Sequence, residues 1–251
     1  MERIAGVSPR FQARMAGVIA LITTTAGFAA IVSGSLVVSD DAGATAHNIL
    51  AHELLFRLAV AGDVIATLYV AYTLLLYNLF RPVNRSLSLL AAFFSLVGSG
   101  VGTLNTAFEL APLIVLGSTR SLGAFNVEQL QALALMFLKL HAQVYNIGLV
   151  LFGTYNLLIG YLIFRSTFLP RILGVLLAIS GLCYLINSFA NFLSPAFAAH
   201  LLPYILVPGG AELLLALWLV VIGVNVERWQ EQASASGRLI PGTMQMGQEP
   251  A

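Results

Sequence analysis

The sequence predicts an all-α fold, an integral membrane bundle of six transmembrane helices with both termini on the cytoplasmic side. Three observations lead there. First, 59% of the 251 residues are hydrophobic and only 9% are charged, with a mean hydropathy of +0.89. A soluble domain carries roughly 25% charged and about 45–50% apolar residues. Second, six apolar stretches, approximately 14–36, 57–79, 87–110, 138–164, 171–193 and 205–226, punctuate the chain. Each is about the 20 residues that cross roughly 30 Å of hydrocarbon. Third, the arginines fall on alternate connections. The same composition argues against a soluble enzyme or a disordered chain. A net charge of +1 leaves no electrostatic footprint for nucleic acid. The single cysteine, Cys183, excludes an intrachain disulfide framework and a Cys-based zinc site.

The first stretch follows Arg3, Arg10 and Arg14 as a secretory signal would, but the run from Met15 to Val38 is about twice the roughly 7–15 residues of a signal h-region. It reads as a retained helix entered through Ser8-Pro9, an N-cap followed by proline at the first helical position. Residues 1–13 form a cytoplasmic segment, 14–226 the six-helix domain and 227–251 a polar, disordered cytoplasmic tail. Pro82 and Pro170 punctuate tight cytoplasmic turns. Arg3, Arg10, Arg14, Arg81, Arg85, Arg165, Arg171, Arg228 and Arg238 lie on one side, against Arg120 in the third connection of the other. That asymmetry places both termini inside. Arg81, Arg85, Arg165 and Arg171 fix topology or meet anionic lipid head groups.

The third connection, about 111–127, is the longest on the outer side, and Asn126 with Gln129 has the pattern of a capping box. From Val127 to Phe164 the helical pattern runs 38 residues, about 57 Å at 1.5 Å per residue. It must project, tilt or break. The segment 77–90 also resembles 161–176, a weak internal repeat that any two arginine-flanked apolar hairpins can mimic.

Depth counted from the arginine ends locates the polar residues. Asp63 falls just inside the outer boundary, Asn105 at it and Glu109 about a turn beyond. Asn146 lies just inside, Asn187 about a turn inside, and Lys139 and His141 outside or snorkelling. Glu212 sits roughly 7 Å inside. The polar set gathers in the outer half. A cavity open to the outside, lined by Asp63, Asn105, Asn146, Asn187 and Glu212 with His141 near, follows as an expectation. The asparagines serve equally as interhelical glue, and Glu53 with Arg57 is an i,i+4 ion pair. Asp63 and Glu212 have no basic residue at i±3 or i±4 and need a partner from another helix, a proton or solvent. Gly98, Gly100, Gly102, Gly148, Gly153 and Gly160 suit close helix packing. Pro208-Gly209-Gly210 reads as a helix start or a break beside Glu212.

No phosphate loop, dinucleotide fingerprint or nucleophile elbow occurs, and no cofactor or local metal motif is expected. A site assembled across helices from His52 or His141 with Asp63 and Glu212 is the one route to a metal.

SPRFQARMAG (8–17), NILAHELLFRLAVAGDV (48–64), LYNLFRPVNRSLSLLAAFF (76–94) and FRSTFLPRILGVLLAISGLCYLINSF (164–189) together resemble a bacterial multi-pass family known only as a domain of unknown function. The resemblance covers roughly 8–226. It implies six helices in a bacterial membrane and assigns no mechanism. Three functions stay open: an assembly or sensory subunit, a module binding or transporting a small or lipid-like molecule through Asp63 and Glu212, and an intramembrane hydrolase using those carboxylates with His141. The bilayer is the one partner the composition requires. Oligomeric state is not legible.

Overall fold

A computed structural model describes residues 8–117, 124–200 and 210–238 of the chain. Every regular element among the described residues is helical, with no strand. Helix α1 (Pro9–Ser35) starts at Ser8 with proline in its first turn, where the missing N–H costs no helical bond. Helix α2 (Ala42–Ala51) follows in the first connection, a short element that apolar periodicity does not announce. Asp41 caps it by accepting the Ala44 N–H at 2.8 Å. Asp40 reaches the cap through a φ of 63°, a left-handed conformation that Asp tolerates.

The next span, Glu53–Phe80, is not one regular helix. Helix α3 (Glu53–Ile65) passes through a 3-10 turn at Ala66–Leu68 into α4 (Tyr69–Phe80). Mid-helix 3-10 turns often mark functional positions, and this one begins three residues after Asp63. Helices α5 (Arg85–Gly117) and α6 (Val127–Arg165) form the long pair, and α7 (Arg171–Leu193) returns along α6. The apolar α8 (Ala211–Val221) and the polar α9 (Val226–Arg238) complete the described chain. Four helices, Glu53–Phe80, Arg85–Gly117, Val127–Arg165 and Arg171–Leu193, are long and apolar enough to cross a membrane, and Ala211–Val221 is a shorter apolar one. Leu104 (75% exposed), Val221 (69%) and Leu193 (83%) illustrate the apolar outer surface of these helices, which suits hydrocarbon far better than water.

Helix α6 runs 39 residues without a break, roughly 58 Å at 1.5 Å per residue, so it projects or tilts. Its capping box forms in full: Asn126 accepts from the Gln129 N–H at 2.8 Å, and Gln129 accepts from the Asn126 N–H at 2.9 Å. Helix α5 likewise runs to Gly117, consuming the first part of the expected outer loop. Arg3, Arg120, Pro208, Gly209 and residues 239–251 lie outside the described residues.

The tail expectation needs correction. Residues 227–238 are helical, not disordered, because α9 has tertiary partners. Trp229 donates its indole N–H to the Leu79 carbonyl at 2.9 Å, and Gln232 accepts from the Thr167 N–H at 3.1 Å. Composition alone carries no trace of such docking. Gly223, at a φ of 76°, provides the left-handed stop after α8 that precedes it.

The main core lies at the end that carries the turns 81–84 and 166–170. Tyr72, Leu76, Leu79 and Phe80 of α4 pack with Tyr155, Ile159, Leu162 and Ile163 of α6, with Ala13, Ala16 and Ala20 of α1 against Leu215, Ala216 and Leu219 of α8. Phe80 stacks on Phe168 with ring centroids 5.9 Å apart. Arg81, Arg85, Arg165 and Arg171 are exposed around this end, and the Arg171 guanidinium sits 5.7 Å from the Phe164 ring centre.

The glycines divide into two kinds. Gly153 and Gly160 of α6 meet Gly181 and Gly174 of α7, where an added Cβ would fall 2.8 and 2.6 Å from the Gly181 and Gly174 carbonyl oxygens. Gly98 is similarly tight against Phe152, at 3.2 Å. Gly100, Gly102 and Gly148 correct the packing expectation: nothing lies within 4 Å of a Cβ built there.

Candidate functional site

The polar residues of the other half of the bundle do not gather in one place. They sort into a cavity, an adjoining carboxylate–imidazole cluster and a set of interhelical bonds.

The cavity, about 390 Å³, lies between α1, the α3–α4 junction, α5, α6, α7 and α8. Asp63, Asn105 and Glu212 all line it. Its wall is otherwise aromatic and small: Tyr69, Tyr145, Tyr184 and Phe152 supply ring surface, and Gly102 and Gly148 leave the space that side chains would fill. Thr23, Thr67, Ser99 and Thr103 add hydroxyls. Glu212 enters from the first turn of α8, where a helix N-terminus favours negative charge. Its Oε1 accepts from the Asn156 amide at 2.6 Å. Asn156 is 1% exposed and stood outside the sequence reading, because its link to Glu212 spans 56 residues.

Asn146 and Asn187 line neither this cavity nor the second one described below. The Asn187 amide donates to Asn146 Oδ1 at 3.5 Å across α6 and α7, and Asn146 also donates to the Ala142 carbonyl at 3.1 Å. Both residues act as helix-to-helix links.

His141 points back to α5. The Asn105 amide donates to the His141 carbonyl at 3.1 Å, and His141 Nδ1 lies 3.3 Å from the Asn105 carbonyl. This reciprocal pair sets the register of α5 against α6. One turn along α5 from Asn105 stands Glu109, which depth counting places beyond the bilayer boundary. In the structure it is 1% exposed, with Oε1 accepting from the Ser33 hydroxyl of α1 at 2.8 Å. One ligand atom each from Asp63, Glu109 and His141 lie within 4.8 Å of one another. Glu109, like Asn156, was left out of the expected site; its i,i+4 spacing from Asn105 was the signal available.

A second cavity, about 450 Å³, adjoins this cluster from the other side, lined by Glu109, His141, Ser33, Asp40 and Lys139. The Lys139 ammonium contacts Asp40 at 2.8 Å and is thereby tethered, while the Glu53–Arg57 pair closes at 2.7 Å as the spacing predicted. The Lys139 ammonium beside Asp40 holds that carboxyl below its ordinary range, first through the hydrogen bond and then through charge attraction.

These features define an all-helical protein with long apolar helices compatible with a membrane and a polar site held between them. The chain belongs to the DUF4386 family, a domain of unknown function, whose model matches residues 15–223. It is similar to an uncharacterised protein of Archaeoglobus fulgidus, 26% identical over 159 residues that cover 63% of this chain and 79% of that protein. No solved structure matches the chain significantly.

Proposed function

We propose that this protein is a six-span, multi-pass membrane module, both termini cytoplasmic, that binds a small organic cation with an apolar body in the cavity between Asp63 and Glu212. In this reading α1 and α8 supply the first and last spans. The exposed arginines at one end of the bundle support that orientation through the positive-inside asymmetry. The cavity then opens toward the outer leaflet, and the protein resides in the bacterial inner membrane.

The observation that carries the ligand class is the lining. Two carboxylates stand among four aromatic rings, and the ion pairs present among the described residues involve neither of them. Carboxylate charge and ring faces both attract a cation, and ring faces favour one that is weakly hydrated. A volume of about 390 Å³ lies within the usual range of small-molecule sites, about 300–1,000 Å³. The assembly reading draws its support from the Asn146–Asn187 and Asn105–His141 links, which join helices without needing a ligand.

Thermal unfolding of the purified protein with benzyltrimethylammonium tests the proposal. A stabilising shift that grows with concentration and disappears in Glu212→Gln is expected. A shift of equal size in the variant, or none in folded wild-type protein, overturns the ligand class. In a Cys183→Ala background, Thr103→Cys should react with an impermeant thiol reagent from the outer face. Labelling only from the cytoplasmic face reverses the orientation.

A further inference from the structure

Two carboxylates and an imidazole converge from α3, α5 and α6, and among the described residues neither carboxylate is ion-paired with a lysine or arginine. Glu109 is the most informative of the three. It is almost fully buried, Ser33 occupies its Oε1, and its Oε2 has no hydrogen-bond partner among the described residues. Asn105 Oδ1, one helical turn away, is also buried and unpartnered. The ion pairs among the described residues are Glu53–Arg57 and Asp40–Lys139, so Lys139 is already engaged. Beside a second carboxyl, a buried carboxylate oxygen in an apolar span is costly unless it shares a proton or meets a cation.

We infer that Asp63, Glu109 and His141 form a binding site for a divalent transition-metal cation of the zinc class. Donor chemistry selects the ion. One imidazole nitrogen with two carboxylate oxygens suits zinc or its first-row neighbours, whereas calcium and magnesium favour oxygen alone. The orientation of His141 fits as well. With Nδ1–H given to the Asn105 carbonyl, the Nε2 lone pair is left for a metal, the usual outer-shell arrangement of a ligating histidine. Ser33 on Glu109 Oε1 plays the matching part for the carboxylate. Ligand atoms about 2.1 Å from a tetrahedral ion stand roughly 3.4 Å apart. The observed limit of 4.8 Å leaves a contraction of about 1.4 Å for metal binding to make. Three protein ligands leave a fourth position for water or an incoming molecule, between the two cavities. The metal site shares Asp63 with the organic-cation cavity but not Glu212, so the failure of one reading does not entail the failure of the other.

The test uses the full-length protein in detergent, stripped with chelator, equilibrated with zinc alone and passed through gel filtration before elemental analysis. About one zinc ion per chain is expected. Retention should fall at least about tenfold in Glu109→Gln and in His141→Gln, and Ser33→Ala should weaken binding about 10–100-fold. Glu212→Gln and His52→Ala should retain the ion, which separates this site from the cavity and from surface histidines. If a ligand variant fails to elute as a folded species, cobalt absorption of the wild-type protein supplies the readout. Four-coordinate bands that zinc displaces support the site. Folded wild-type protein that retains no zinc, or equal retention in folded Glu109→Gln and His141→Gln, overturns it.

Discussion

The two halves of the bundle are built from the same residue types and put them to opposite uses. At the arginine-collared end, Tyr72, Tyr155, Phe80 and Phe168 fill space completely, and Gly160 and Gly174 bring two backbones into contact. In the other half, Tyr69, Tyr145 and Tyr184 surround a cavity, and Gly102 and Gly148 keep it open. Serines and threonines differ likewise: Thr73 and Ser95 bond each other in the packed region, whereas Thr67 and Thr103 face the cavity. A glycine or tyrosine has no role of its own in such a bundle. What faces it decides whether it supports packing or makes room.

The glycines give the sharpest way to break this contrast. Gly160→Val forces a side chain into the Gly174 carbonyl and should cost about 3 kcal/mol, the upper end of ordinary overpacking. Gly148→Ala meets nothing within 4 Å and should stabilise α6 by about 0.5–1 kcal/mol, because alanine is the better helix former. Unfolding of both variants in the same micelles checks the pair. Equal destabilisation would erase the distinction between the halves.

A middle effect is expected at Asn156. Asn156→Ala strands the Glu212 oxygen it serves and should cost about 1.5–2 kcal/mol, the scale of a hydrogen bond to a charged group. The loss should shrink in a Glu212→Gln background, and an unchanged loss would uncouple the two residues. The smallest effect belongs to the exposed Asp40–Lys139 pair. Its contribution is present above the ordinary Asp value of 3.8 and lost as pH falls through the lower folded value. Asp40→Asn should therefore lower the unfolding temperature slightly and evenly across pH 4.5–7, the difference from wild type vanishing as pH falls through that acidic window, as measured by a pH series of unfolding temperatures.

Much of the scaffold was legible. The apolar run lengths located the four helices long and apolar enough to cross a membrane, Asn126 and Gln129 announced the start of α6, and Glu53–Arg57 followed from spacing. The site was legible in part. Asp63, Asn105 and Glu212 were isolated as polar groups in apolar surroundings, and all three line one cavity. Asn146 and Asn187 carried the same sequence signal yet bond to each other instead. Glu109 was passed over because counting along a helix gives a position along its axis and not which side chains other helices bury.

The sequence by itself determined the long apolar helices and the polar residues isolated within them, since length, hydropathy and capping are local properties of the chain; it did not announce α2 or α9. Only the tertiary structure decided partnership. Asp63, Glu109 and His141 come from three helices and lie as many as 78 positions apart in the chain. Their convergence depends on helix rotation and register, which the Asn105–His141 pair and the glycine seam fix through contacts that no local pattern encodes.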